Sequence, residues 1–184
     1  MKKYLMEITC VVAGLIGIVT MTGCATAPAT VQGKTDIRVD AAIALSKAQK
    51  YDPSLTSVFD AAAGYAVFPK IGKGGAIVGG AYGKGVLYEN GGVVGYCDLS
   101  QASIGAQLGG QSYTEIICFE NFSVIDRFRQ GEFHFDAQAS AVALRSGAGA
   151  NAKYRDGVAV FTMDEAGLMA EASIGGQKFS YQPR

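Results

Sequence analysis

Residues 64–92 read GYAVFPKIGKGGAIVGGAYGKGVLYENGG, and this stretch decides the fold. Aromatic and β-branched residues recur in short runs separated by glycines, a strand texture rather than a helical one. Glu89-Asn90-Gly91-Gly92 supplies the Asn-Gly step of a tight hairpin, whose central residues need positive φ. Strands are therefore expected over 65–68 and 75–88. Pro69-Lys70-Ile71-Gly72-Lys73-Gly74-Gly75 is expected as a loop entering the second strand. Glycine inside a strand weakens a flat sheet, so its density here implies bends or close backbone approach. The expected sheet is antiparallel and strongly curled, folded over or barrel-like.

The same texture continues downstream. Strands are expected over 92–107, 111–119, 133–144, 157–163 and 167–181, with turns at Gly109-Gly110 and Asp156-Gly157. Ala102, Ile104, Ala106 and Leu108 alternate with Gln101, Ser103 and Gln107. Phe133, Phe135, Ala137, Ala139 and Ala141 alternate with His134, Asp136, Gln138 and Ser140. One side of each strand is expected to be buried and the other wet or polar-lined. Asn121 to Arg129, NFSVIDRFR, reads as a short inserted helix capped by Asn121 and stopped near Gly131.

Upstream, residues 36–50 place Ile37, Ala41, Ala44, Leu45 and Ala48 on one helical stripe, with Thr35 or Asp36 as the cap. That stripe is expected against the sheet. A helix lying on a membrane would need a wider apolar face with a rim of Lys and Arg. Asp52-Pro53 breaks the helix, and a second short one runs from Ser54 to Ala62, ended by Gly64. The fold class is thus α+β, a curled antiparallel sheet with an N-terminal helical segment and one short inserted helix.

The N-terminus reads as an address. Lys2 and Lys3 precede an apolar run from Ile8 to Met21 of about 14 residues, in the range of a signal-peptide core and short of the roughly 20 that span a bilayer. It ends in Met21-Thr22-Gly23-Cys24, which has the form of a bacterial lipobox. Residues 1–23 are expected as a lipoprotein signal peptide. Cys24 would carry the lipid, residues 24–34 would form a flexible tether, and 35–184 would be one domain. Two or more acyl chains make such anchoring stable. Ala25, rather than Asp, after the cysteine favours the outer membrane, facing the periplasm.

Charge excludes some partners. The chain has 16 basic and 16 acidic side chains, with no basic tail or basic helix, so nucleic acid is not an expected partner. Four cysteines are accounted for: Cys10 leaves with the signal, and Cys24 takes the lipid. Cys97 and Cys118 sit in apolar runs and either pair in an oxidising compartment or stay as buried thiols.

Chemistry is sparse. Gly79-Gly80-Ala81-Tyr82-Gly83-Lys84-Gly85 has a Gly-Lys step, but Gly85 stands where a phosphate loop needs Ser or Thr, and no helix follows. The chain has one histidine, His134, and no nucleophile-elbow motif; a hydrolase reading would need His134 to meet a serine and an acid. Glu115, Asp136 and Glu171 are spread over three expected strands. The sequence offers no metal-ligand set and no cofactor motif, so the reading is non-enzymatic. Lys70, Lys73 and Lys84 form the one suggestive cluster. Beside exposed backbone N–H groups they could hold a phosphate headgroup, or they simply solvate a loop.

Residues Gly64 to Gly75 and Val78 to Tyr88 resemble the signature of the SYLF lipid-binding domain family. Further matches are Gln101 to Ser112, Phe135 to Ser140 and Gly167 to Gly176, so the resemblance spans about residues 36–184. It implies membrane association: eukaryotic members bind phosphoinositides, some bind actin filaments, and bacterial members are typically exported, often as lipoproteins. It implies no catalytic residues, and it places Lys70, Lys73 and Lys84 within the signature as lipid-headgroup candidates. The chain departs from the eukaryotic pattern at its N-terminal segment, where Lys34, Arg38, Lys47 and Lys50 stand beside Asp36 and Asp40. Membrane lipids are the expected partners and actin is not, for an exported protein. The alternative is a structural or partner-binding envelope module for which the lipid is only a tether.

Overall fold

The computed structural model describes residues 28, 30–75, 78–104, 111–132, 141–143, 147–164 and 176–184. The signal segment, Cys24, His134 and the expected strand segments 133–140 and 167–175 lie outside the described residues. Three helices, α1 (Val31–Tyr51), α2 (Leu55–Ala61) and α3 (Phe122–Arg129), accompany seven strands. These are β1 (Gly64–Gly75), β2 (Val78–Glu89), β3 (Gly92–Ile104), β4 (Gln111–Phe119), β5 (Ala141–Ala143), β6 (Val158–Asp164) and β7 (Gln177–Pro183). They form one sheet in the order β5-β6-β4-β1-β2-β3-β7. Six strands pair antiparallel, and the short β5 joins β6 in parallel. No pairing joins the β5 and β7 edges among the described residues, so the sheet is curled but not closed into a barrel.

Curling follows from contacts that skip strands. Gln177 on β7 donates to Glu115 on β4 although β1, β2 and β3 lie between them in the sheet. Phe179 on β7 likewise meets Phe68 on β1, with ring centroids 5.9 Å apart. The face carrying these residues is the concave one. Phe68, Ile71, Leu87, Leu99, Ile117 and Phe119 line it, and α3 caps one end by inserting Val124, Ile125 and Phe128. Phe128 packs on both Phe119 and Phe179 at 5.1 Å. The convex face carries Val67, Val86, Tyr96, Ile116 and Cys118, covered by α1 and α2 through Ala41, Ala44, Ala48, Leu55 and Phe59. Alanines at helical spacing let α1 lie close on the sheet, as the stripe implies.

Several expectations change in detail. The first helix starts at Val31, not 36, because Thr30 is its cap: Thr30 Oγ1 accepts from Gly33 N at 3.0 Å. Residues 69–75 are not a loop but the second half of β1. The register shifts between Val67 and Lys70, so a bulge absorbs Pro69, which has no N–H to donate. The Pro69 carbonyl instead accepts from Thr114 Oγ1 at 2.8 Å. The alternation in β3 runs against simple apolarity: Gln101 is buried and Ala102 exposed. The hairpin at Asn90-Gly91 forms as its sequence implies, with φ of 50° and 72°. Cys97 and Cys118 are free and buried on opposite faces of the sheet, in strands that are not neighbours, which rules out their pairing.

Asp52 fastens the helical segment. It is buried, and its Oδ1 accepts from Ser54 N at 3.1 Å and Ser54 Oγ at 2.7 Å, while Oδ2 accepts from Gly149 N at 2.6 Å. Burial pushes this carboxyl up, but the hydrogen bonds from Gly149, Ser54 and Gly147 outweigh it and hold the group below the usual carboxylate range. Asp52→Ala is expected to cost about 2 kcal/mol, since it strands a buried Gly149 N–H as well as removing charge-assisted bonds. Urea unfolding would register this as a lower midpoint at unchanged slope.

Candidate functional site

The open end of the convex face, beyond α1, is where two of the three candidate lysines, Lys70 and Lys84, fall. Direct cross-strand partners share a face. One such row runs Lys70 on β1, Lys84 on β2, Asp98 on β3 and Ser180 on β7. The next row runs Gly72, Tyr82, Ser100 and Lys178. Asp98 is buried in the middle: Oδ1 accepts from Tyr82 Oη at 2.9 Å and Oδ2 from Ser180 Oγ at 3.3 Å. Tyr82 itself is 45% exposed. Lys70 and Lys178 are exposed and Lys84 half-buried. Three strand spacings separate Lys70 from Lys178, about 14 Å across the sheet.

Lys73 is on the other side. It stands opposite Ala81, whose side chain belongs to the concave core. The bulge explains the split. It turns both Phe68 and Ile71 inward, so positions 70 and 72 face out and 73 faces in. The structure thus groups Lys70 and Lys84 with Lys178 and separates them from Lys73. Lys178 lies outside the stretch that groups the other lysines in sequence. Its signal is the alternation in Gln177-Lys178-Phe179-Ser180-Tyr181, where Phe179 and Tyr181 pack inward.

On the concave face a second polar group sits away from α3. Glu115 is completely buried and Gln177 nearly so, and Gln177 Nε2 donates to Glu115 Oε2 at 3.0 Å. Thr162 stands directly opposite Glu115 on β6, and Gln101 directly opposite Gln177 on β3. Tyr113, two residues from Glu115 on β4, is buried beside them. Burial pushes the Glu115 carboxyl up to about 7, with the Gln177 hydrogen bond acting the other way. Burial, and next the Glu115 charge, raise the Tyr113 hydroxyl too. Among the described residues no cluster of three or more His, Cys, Asp or Glu is formed that could hold a metal ion. Their helices include none long and apolar enough to cross a membrane.

A half-open curled sheet, capped at one end by a helix and backed by an N-terminal helix, defines a single-sheet α+β domain whose exposed convex end is basic. Residues 100–183 match the family described as "Ysc84: Las17-binding protein actin regulator". Beta cell expansion factor A of Aeromonas veronii is 30% identical over 149 residues, covering 80% of this chain. The chain in turn spans 57% of that relative's length. The chain is thus similar to the SYLF family over residues 100–183, and that family is not a known enzyme family.

Proposed function

We propose that this is a non-enzymatic envelope lipoprotein, anchored through Cys24 to the outer membrane, whose SYLF domain contacts anionic lipid headgroups with its convex face. The observation that carries this reading is the placement of two features on that one face. Lys70, Lys84 and Lys178 occupy its open end. On its covered end, α1 turns Val31, Val39 and Ile43 outward, exposed at 84%, 53% and 60%. Cys24 precedes Val31 by seven residues, and a chain of that length reaches at most about 25 Å. A lipid on Cys24 therefore keeps the start of α1 within about 25 Å of the bilayer surface. Membrane-near lysines contribute about 1 kcal/mol each toward anionic lipid.

The test uses the Cys24→Ser chain, so that the anchor does not mask the domain's own affinity, with vesicles of neutral lipid and of neutral lipid mixed with anionic lipid. Binding is expected on the anionic vesicles only and to weaken as salt rises. Replacing Lys70 and Lys84 together by Ala is expected to weaken it roughly tenfold or more. Lys73→Ala, on the opposite face, is expected to leave it unchanged. Absence of vesicle binding, together with capture of an envelope protein by the same chain, would instead favour the tethered partner-binding module.

A further inference from the structure

Glu115 poses a charge problem that the convex face does not touch. Its carboxylate lies inside the curled sheet, and no basic side chain pairs with it among the described residues. Glu115 Oε1 and Gln177 Oε1 are both buried and have no hydrogen-bond partner among the described residues. The two side chains are joined by the Gln177 Nε2–Glu115 Oε2 bond, so these acceptors belong to one site. Thr162 is buried directly across from Glu115 on β6, and Tyr113 is buried two residues away on β4; both side chains carry a hydroxyl. Buried acceptors without donors are costly, and a buried uncompensated charge far more so.

We infer that Glu115 and Gln177 form a binding site for an alkali-metal cation inside the curled sheet. The donor set is all oxygen, which suits a hard cation and offers nothing to a soft one. Charge selects the valence. A single carboxylate is neutralised by a monovalent ion, whereas a divalent ion would leave net positive charge in an apolar interior. Gln101–Gln177 is the last β3–β7 pair among the described residues, and Glu115 is the fifth residue of β4. Phe119, Phe128 and Phe179 seal the opposite end.

Among the described residues Glu115 faces Thr162 from β6, Phe68 from β1 and Gln177 from β7, with Tyr113 two residues along its own strand and Gln101 opposite Gln177 on β3. Lys73 lies further toward the rim on β1, opposite Gln111.

The experiment is thermal unfolding of the full chain in neutral detergent, in NaCl, KCl or choline chloride at equal ionic strength. At pH 8 at least one of Na⁺ and K⁺ is expected to raise Tm by about 2–4 °C over choline. Glu115→Gln should abolish the difference at pH 8, and Gln177→Leu should reduce it. Equal Tm values in the three salts at pH 8 would overturn the site, as would a cation shift that survives in Glu115→Gln. Isothermal titration of NaCl and of KCl into the wild-type chain at pH 8 provides a readout independent of the variants' folding: no saturable heat with either salt would also overturn it.

Discussion

Gly85→Val is expected to destabilise the domain by about 4 kcal/mol, enough to leave much of the chain unfolded at 37 °C. Gly85 lies in β2 on the concave face, where the Phe68 ring crosses over it. A Cβ there would come within 2.7 Å of Phe68 Cδ1 and 2.8 Å of the Val67 carbonyl oxygen. The second contact decides the size of the effect. A ring can rotate away, but the Val67 carbonyl belongs to the strand paired with β2, so relief requires moving β1 against β2 in the middle of the sheet. Overpacking of a core commonly costs 1–3 kcal/mol, and a clash with backbone exceeds that range. Gly74→Val is the control. It changes a glycine to a β-branched residue in β1, next to β2, but a Cβ there meets nothing within 4 Å, and its effect is expected to stay within about 0.5 kcal/mol. Urea unfolding of the two variants side by side measures both. Equal destabilisation would mean that these glycines serve chain flexibility and not close packing.

Gly85 also marks how far the sequence could be read. Glycine density announced close approach, and Asn90-Gly91 announced the hairpin, because both are local backbone requirements. The Ala stripe of α1 and the Asn121 cap of α3 were legible for the same reason. Three features were not. Strand β1 continues past Pro69, a residue that ordinarily ends pairing, because the bulge takes it out of the ladder. That one extra residue reverses which face the following side chains take. Lys73 therefore parts from Lys70 and Lys84, which sequence proximity had grouped. The interior polar group is the third. Gln101 sits in a clean local alternation whose apolar partners look like the buried set, yet it faces inward. Its environment is built by Glu115 and Gln177, brought together only when the sheet curls and skips three strands. No window of sequence contains that juxtaposition.

Stability in choline chloride is expected to fall as pH rises from 5 to 8, and Glu115→Gln is expected to remove most of that fall. The sign follows from linkage. The folded-state pKa of Glu115 is about 7, raised from an ordinary value of 4.5. The unfolded chain therefore gives up this proton first. The Glu115 contribution is constant below pH 4.5, declines as pH rises through 7, and levels off above it, with a total loss of about 3 kcal/mol. For a chain of this size that is a Tm lower by roughly 6–12 °C at pH 8 than at pH 5. Asp52 has the opposite sign. Its pKa is lowered, so its contribution is present above its ordinary value of 3.8 and is lost in acid. The two buried carboxylates together place the most stable range on the acid side of neutrality. Glu115→Gln keeps the side-chain volume and removes the charge, so it should match wild type at pH 5 and exceed it at pH 8. Glu115→Leu separates charge from hydrogen bonding. It too should flatten the profile, but it strands the Gln177 amide donor and should be less stable than wild type at pH 5. If Glu115→Gln followed the wild-type decline between pH 5 and 8, the charge on Glu115 would not be its cause, and the buried carboxylate would have to be neutralised at all pH values by a group other than a proton.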